Sequence, residues 1–450
     1  MIHRSTTLLL CMVTLIACTA AAQTRDTAAT VHAFSVQQCV EYAHKNNNQV
    51  KNALLDLQVQ QQTNRGITSA ALPQINATAG LTDYLKIPVT LVPAEFFGGA
   101  AGTYAPVQFG TKYNASAGIN LQQVLFDGQV FVGLQARQTS IDYYQKNIEI
   151  TEENIKANIY KVYYQLVVSK TQVDQIDANI ERLEKLLHDT KAMHDNGFAE
   201  SLDVDKTSVQ LANLQTERLK TVNTINNGYL GLKILIGMPV KEELTLTDNI
   251  TDEDIKQNAL DSAYQYENRK EYQALMLSKK LNEYNVKRYK LSYFPSLSLN
   301  GAYSKAAYRT EFDVFNKGDW FTTSYIGLNV SIPIFDGLQK DANIKKARLQ
   351  TRQVENQLED LKLSIDNDAT KARNDFKSAI ATIDYQKRNM TLAANVYNQT
   401  KKKYELGLAS STDLTNAQTD LRTSESNYIS ALYDGIIARV NYLKATGQLK

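Results

Sequence analysis

The chain has 450 residues, with 49 basic and 47 acidic side chains for a net charge of +2, and no block of like charge long enough to suit a nucleic-acid surface. Only 7 prolines and 20 glycines interrupt it, and no proline falls between 131 and 238 or between 334 and 450. Such spacing argues against a string of ordinary globular domains built from short elements. No Gly-x-x-x-x-Gly-Lys-Ser/Thr loop, His-Glu-x-x-His pair or paired Cys-x-x-Cys appears, so nucleotide-driven or zinc chemistry has no support.

The first residues carry a basic start at His3-Arg4, an apolar run from Leu8 to Ile16 and small residues from Cys18 to Ala22, the three regions of a secretory signal. Residues 1–22 are read as that signal, cleaved after Ala22. Leu15-Ile16-Ala17-Cys18 also reads as a lipobox, which would leave Cys18 as a lipidated N-terminus. Cleavage leaves Cys39, with Cys18 only in the lipidated case, so no disulfide framework is expected. No later stretch reaches the roughly 18 apolar residues of a membrane helix.

Beyond the signal the chain repeats itself. Leu72-Pro73-Gln74-Ile75 returns as Phe294-Pro295-Ser296-Leu297, and Leu125-Phe126-Asp127-Gly128 as Ile334-Phe335-Asp336-Gly337. Gly197, Asp203 and Gly237 return as Gly407, Asp413 and Gly447 at one common offset. A first repeat is placed at 34–239, a charged connecting region at 240–264 and a second repeat at 265–450.

In the first repeat, alternation of Ile75, Ala77, Ala79, Leu81 and of Tyr113, Ala115, Ala117, Ile119, Leu121 with polar residues predicts strands at about 73–84 and 113–126. The intervening loop at about 85–111, with Pro88, Pro93 and Pro106, reads as irregular and outward-facing. From Leu134 to Asn196 there is neither Gly nor Pro, room for a helix of roughly 90 to 105 Å. Its apolar residues fall on two heptad series, Ile141, Ile148, Ile155, Val162, Ile176, Leu183 and Ile159, Leu166, Val173, Ile180, Leu187, broken by Ser169. The return helix continues the pattern through Leu211, Ile225 and Leu232, so a coiled coil is predicted over about 131–236. His188 and His194, six residues apart, fall on different helix faces and are read as solvated rather than as metal ligands.

In the second repeat, strands are predicted at about 295–304 and 320–335, the latter on Ile326, Leu328, Val330, Ile332 and Ile334, with a surface loop at roughly 304–319. A coiled coil follows over about 338–446, where Phe376, Ile383, Met390, Tyr397 and Tyr404 recur at sevens beside Ala372, Ala379 and Ala393. Each strand has the length that crosses a tilted bilayer, with aromatics at its ends. Four strands leave two open edges, costly in lipid, and closed barrels begin at about eight strands. At least two chains must therefore contribute, and three would give twelve strands. The helices by themselves also suit an elongated non-channel scaffold.

These residues resemble the TolC-like outer-membrane efflux proteins over nearly the whole mature chain. The resemblance rests on the opening Phe34-Ser35-Val36-Gln37-Gln38 with Ala43 and Asn47, Pro73 and Pro295, Arg269 with Glu271, and both Phe-Asp-Gly exits. It implies a mostly α protein with a membrane β-barrel portion, a homotrimer whose twelve strands form a barrel and whose helices form a periplasmic tunnel. It implies a passive conduit without enzymatic activity or cofactor, serving tripartite efflux or type I secretion by docking to a periplasmic adaptor (membrane fusion) protein and an inner-membrane pump. Leu406-Gly407-Leu408 resembles the family's adaptor-docking tip, and Gly197-Phe198 is a looser version. The resemblance makes Asp413 part of a carboxylate ring at the tunnel entrance, and makes Asp203 the acceptor of a locking hydrogen bond from Tyr404 on the neighbouring coiled coil; both acids also stand near helix N-termini, where capping and the helix dipole are the alternative reading. Two positions depart: the family's second ring aspartate is Asn416 here, and its locking arginine is Ala409. A general diffusion channel without a pump, or a periplasmic coiled-coil scaffold, are the rival functions.

Overall fold

The structure is a computed structural model that describes residues 31–249, 251–256, 264–313 and 318–449. The signal at 1–22, the lipidation candidate Cys18, the end of the 240–264 region and part of the 304–319 loop lie outside the described residues. Two compact units are present. One takes the chain up to Asn48, Ile155–Asn258 and Phe376–Val440; the other takes Gln49–Asn154, Ala259–Asp375 and the chain from Asn441.

In chain order the elements are β1 (Val31–Phe34), α1 (Val36–Asn46), α2 (Asn48–Ser69), β2 (Gln74–Asp83), β3 (Val89–Pro93), β4 (Tyr104–Gln108), β5 (Tyr113–Phe126), α3 (Gly128–Asp195) and α4 (Ser201–Ile236). They continue with β6 (Glu243–Leu246), α5 (Asp252–Lys256), α6 (Lys270–Leu291), β7 (Ser296–Arg309), β8 (Phe321–Ser331), α7 (Gln339–Glu405) and α8 (Ser411–Ala445). Helices α3 and α7 run unbroken for 68 and 67 residues, about 100 Å each by the helical rise.

The duplicated Phe-Asp-Gly exits prove to be helix starts. Asp127 Oδ1 accepts from the Gln129 and Val130 amides at 2.7 and 3.3 Å, and Asp336 Oδ2 accepts from the Lys340 amide at 3.0 Å. A carboxylate there satisfies amides that have no partner within the helix. At α1 the Ser35 side chain accepts from the Gln38 amide while the Gln38 side chain accepts from the Ser35 amide, a reciprocal capping box.

Strands β2, β5, β7 and β8 form one antiparallel sheet in the order β2-β5-β7-β8. One face carries the row Ile75, Leu121, Gly301 and Ile326 and the row Gln123, Leu299 and Leu328, with Lys305, Thr322 and Ser324 toward the far end; the other carries Asn76, Asn120, Ala302, Tyr325 and the row Gln74, Gln122, Asn300, Gly327. The apolar face is uncovered: Ile326 is 82% exposed and Leu328 67%. An apolar face left uncovered marks a site of contact with a membrane or a partner. Strands β2 and β8 stand at the two edges, each paired on one side only.

Three sequence expectations need correction here. The loop at 85–111 is not wholly irregular, because β3 and β4 pair antiparallel from Val89↔Gln108 to Pro93↔Tyr104. Strand β7 continues to Arg309, beyond the expected 304. Strand β8 stops at Ser331 rather than reaching 335; Pro333 lacks the N–H that a further ladder bond would use.

In the unit that holds the distal helices, β1 and β6 pair in parallel, from Val31↔Glu243 to Phe34↔Leu246. That pair was invisible to sequence patterning because four residues carry no usable alternation. Tyr163, fully buried on α3, donates to the Phe34 carbonyl at 2.9 Å and accepts from the Asp248 amide at 3.1 Å. Burial pushes its hydroxyl up to about 12, so it keeps its proton and serves as a fixed strut between α3 and this small sheet.

The heptad seams of α3 and α7 are buried at Ile148, Ile155, Ile159, Leu166, Ile176, Leu183, Phe376 and Ile383. In α4 the predicted seam holds at Leu232 and Ile236, both fully buried, and shifts toward the tip. Leu214, outside both heptad series, is the residue buried against Ile176 and Leu183, with Leu211 only partly buried beside it. A return helix packs on whichever face its tip turn presents, and that rotation is a tertiary quantity.

Candidate functional site

Both hairpin tips are built alike. Gly197 at φ +79° and Gly407 at φ +71° take the left-handed conformation that ends a helix. The Gly197 and Phe198 amides donate to the His194 and Met193 carbonyls at 2.9 and 2.8 Å; those of Gly407 and Leu408 donate to Tyr404 and Lys403 at 2.9 and 2.8 Å. This double bond pattern closes α3 and α7 and points the next side chain away from the helix. Phe198 is 80% exposed, and Leu406 and Leu408 are 74% and 75% exposed. Apolar side chains held out by a rigid turn, with no neighbour covering them, are the composition of a contact surface.

The two tips differ in how their return helices begin. Ser410 Oγ donates to Asp413 Oδ2 at 2.6 Å, the Ser410 amide donates to the same oxygen at 3.0 Å, and the Asp413 amide donates to Ser410 Oγ at 3.1 Å. Ser410's hydroxyl and amide hold the exposed Asp413 carboxyl below its usual range. Asp413 is thus a capping residue that stays ionised, and both bonds to its carboxylate use Oδ2. The Ser410-x-x-Asp413 spacing carries the signal of a capping box, in line with the capping alternative for Asp413. At the other tip Glu200 offers no side-chain cap, and half-buried Asp203 lies 3.7 Å from Lys206 Nζ.

Asn416 is exposed, one turn beyond Asp413. Ala409 sits in the tip turn, partly buried. Tyr404 packs against a cluster of Tyr397, Leu414, Ala417 and Leu421, joined by Leu186 from α3. Among the described residues no hydrogen bond joins Tyr404 to Asp203, so the structure does not bring those two expected lock residues together within the chain.

Sequence reasoning missed the clamp between the hairpins. Arg182 on α3 reaches Glu425 on α8 at 3.2 Å and stands 5.9 Å from the centre of the Tyr397 ring. Asn179 Nδ2 donates to the same carboxylate at 3.0 Å. Arg218 pairs with Asp177 and Arg422 with Glu217, so α3, α4 and α8 are laced together by charge along their solvated sides. No signal in one sequence pairs residues some 240 positions apart.

An exposed apolar sheet face, unpaired strand edges, very long helices and apolar turns at the hairpin tips are the features that bear on function. Residues 265–448 match the model of the family described as outer membrane efflux protein. Outer membrane protein TolC of Vibrio cholerae is 21% identical over 386 residues, covering 85% of this chain and 83% of the relative. Outer membrane efflux protein BepC of Brucella suis is 21% identical over 413 residues, covering 90% and 84%. Among solved structures, the outer membrane protein VceC of Vibrio cholerae aligns with a TM-score of 0.72 at 15% identity, over 92% of this chain and 96% of that one. CusC aligns with a TM-score of 0.75 at 15% identity, over 95% of each chain. Residues 265–448 thus carry the outer membrane efflux protein pattern, and most of the chain is similar to TolC-like outer-membrane proteins in sequence and fold.

Proposed function

We propose that three copies of this chain form a passive exit duct: a twelve-stranded barrel in the outer membrane continued by an α-helical tunnel into the periplasm. The duct serves a tripartite efflux or type I secretion system, with no catalytic step of its own. The observation that carries this reading is the four-stranded sheet, apolar and uncovered on one face, with β2 and β8 open at its edges. In lipid such edges must be paired by further strands, and edge-to-edge addition of identical sheets closes a ring. β6 and α5, the described elements of the 240–264 region, would belong to a belt at the tunnel's middle.

Native mass of the protein extracted with detergent from fractionated outer membranes tests the assembly. Three subunits in that fraction are expected; a detergent-independent monomer or filament in the periplasm would instead favour the scaffold.

The tips give the docking surface for a periplasmic adaptor, through Phe198 on one and Leu406 and Leu408 on the other, with the adaptor linking the duct to an inner-membrane pump. A photo-cross-linker at Leu408 is expected to capture an adaptor in cells; absence of any cross-link from either tip would leave a diffusion channel without a pump. That the tip turns are rigid and apolar supports this assignment.

Around a threefold axis, Asp413 of each copy forms a ring of carboxylates at the tunnel entrance, kept ionised by Ser410. Such a ring favours cations over anions, and neutral Asn416 leaves it at half the charge of the family pattern. Asp413→Asn is expected to abolish most of the cation preference in planar-bilayer reversal potentials. An unchanged preference would remove Asp413 from the axis and leave it a helix cap alone. With Ala409 in place of the locking arginine and Asn416 halving the ring's charge, the closed state is loose. Ala409→Arg is expected to lower the closed-state conductance severalfold; identical conductance would sink the idea.

A further inference from the structure

The face of the main sheet that carries Ile75, Leu121, Ile326 and Leu328 holds one charge. From the row of Leu299 to the row of Ala307, Lys305 is the single charged side chain on it among the described residues. Its row runs Ala79, Ala117, Lys305, Thr322 across the four strands, and the next row toward the helices runs Ala77, Ile119, Tyr303, Ser324. Lys305 makes no ion pair or hydrogen bond among the described residues. The cations beyond it are occupied: Arg309 lies 3.4 Å from Asp313, and Lys112 stands 4.9 Å from the centre of the Tyr113 ring.

Short side chains beside long ones leave a shallow groove of about 700 Å³ on this face, lined by Ala77, Ala79 and Ala117 together with Tyr303, Lys305 and Trp320. Strand β7 is flanked on both sides by strands of its own chain, so no strand of a neighbouring copy pairs beside Lys305.

The register also sets the depth. Strand β7 leaves the helical part at Ser296 and ends at Arg309, which puts Lys305 toward the loops. The row of Ala307, with Ala115 and Leu81, is the last apolar one, and the row of Arg309, with Tyr113 and Asp83, is polar. At a strand rise of about 3.3 Å and a tilt of about 40°, Lys305 starts roughly 5 Å inside the apolar band and roughly 10 Å from the polar row. A lysine stem spans the first of these distances and lifts its ammonium toward the headgroups. Trp320, on the same groove, is a residue type that settles at that level. A lone ammonium on a lipid-facing strand is destabilising in proportion to its depth, and an anion at its tip offsets that cost.

We infer that this groove seats a phosphate-bearing lipid of the leaflet on the loop side of the sheet, its phosphate against Lys305 and the start of an acyl chain along Ala79, Ala117 and Ala77. The order along the strands is that of a lipid, with the charge lifted toward the polar row and the alanines level with its stem or deeper. An inorganic phosphate would use the lysine and leave the alanines unused. The inference rests on the outer-membrane reading above.

Native mass spectrometry of the detergent-extracted protein, titrated with diphosphoryl lipid A, phosphatidylcholine or inorganic phosphate, tests it. One cation near a membrane surface is worth roughly fivefold in binding, so wild type is expected to retain lipid A about fivefold more tightly than phosphatidylcholine. Lys305→Gln is expected to erase that preference and Lys305→Arg to keep it, the latter showing that the fold is intact. Ala117→Trp, which fills the groove from its apolar side and leaves the charge in place, is expected to release lipid A severalfold. Equal binding of the two lipids by wild type, an unaffected Lys305→Gln, an unaffected Ala117→Trp, or displacement of lipid A by millimolar inorganic phosphate would each overturn the seat. A chain that needs no detergent and enters no vesicle would overturn the membrane reading as well, so the two failures are distinct.

Discussion

Gly237→Ala is expected to destabilise the protein by about 2 to 5 kcal/mol, the sum of a left-handed backbone forced on a Cβ-bearing residue and an overpacked contact. Gly237 ends α4 at φ +76°, and a Cβ there would stand 2.5 Å from the Asn46 carbonyl oxygen and 2.6 Å from its carbon. The obstacle is backbone at the close of α1, held in turn by Asn47 Nδ2 donating to the Leu235 carbonyl at 2.6 Å, so no side chain can swing aside. Gly231, on the same helix, supplies the control. A Cβ there meets nothing within 4 Å, and Gly231→Ala is expected to be neutral or to stabilise by up to about 1 kcal/mol through helix propensity. Thermal midpoints of the two variants in one detergent check the contrast; equal midpoints would show that the close approach at Asn46 is absent. The duplicate position behaves alike: Gly447 has φ +71°, and its Cβ would stand 2.7 Å from the Asn268 carbonyl oxygen.

Arg269→Ala should be comparably severe, about 3 to 5 kcal/mol, because it strands a carboxylate and a carbonyl in a closed site. Arg269 is 7% exposed. Its Nε donates to Glu271 Oε2 at 3.2 Å and its guanidinium to the Ala445 carbonyl at 3.0 Å, tying the start of α6 to the end of α8. Burial pushes the Glu271 carboxyl up, but its bond to Arg269, its backbone bond and the nearby positive charges outweigh burial, so it titrates below its ordinary 4.5. A depressed carboxylate stabilises the folded chain above its unfolded value and loses that contribution as pH falls through the folded one. Wild type is therefore expected to lose stability on acidification below about pH 4.5. In Arg269→Ala that bond is gone while the backbone bond and the Lys444 charge still oppose burial, so the depression shrinks and this part of the pH dependence should flatten. Melting curves at pH 7 and in that acid range read both effects; a variant as acid-sensitive as wild type would mean that Arg269 is not what holds Glu271 charged.

Much of this was visible in the residues themselves. Period-two alternation placed all four strands of the main sheet, since one face is mainly apolar and the other mainly polar. Freedom from Gly and Pro placed the long helices, and the repeated glycines placed their ends. Arg269 with Glu271 was legible only as a resemblance; the Ala445 carbonyl that explains the arginine lies at the far end of the chain. A capping role for Asp413 was legible from its place near a helix N-terminus, three residues after Ser410. The β3–β4 hairpin was hidden by Pro93 and Pro106, which sit opposite Tyr104 and Leu91 in a short pair that tolerates them.

The sequence by itself determined the duplication, the lengths and types of the main elements, the face of each strand and the four glycine helix ends, because each follows from local periodicity or from backbone sterics at one residue. Only the tertiary structure decided that Leu214 rather than Leu211 fills the α3–α4 seam, that Arg182 and Asn179 share Glu425, that Tyr163 spans β1 and β6, and that Lys305 shares a row with Ala79 and Ala117. Those depend on how helices and strands are rotated and brought side by side across hundreds of residues, and packing complementarity between distant segments leaves no period in either segment alone.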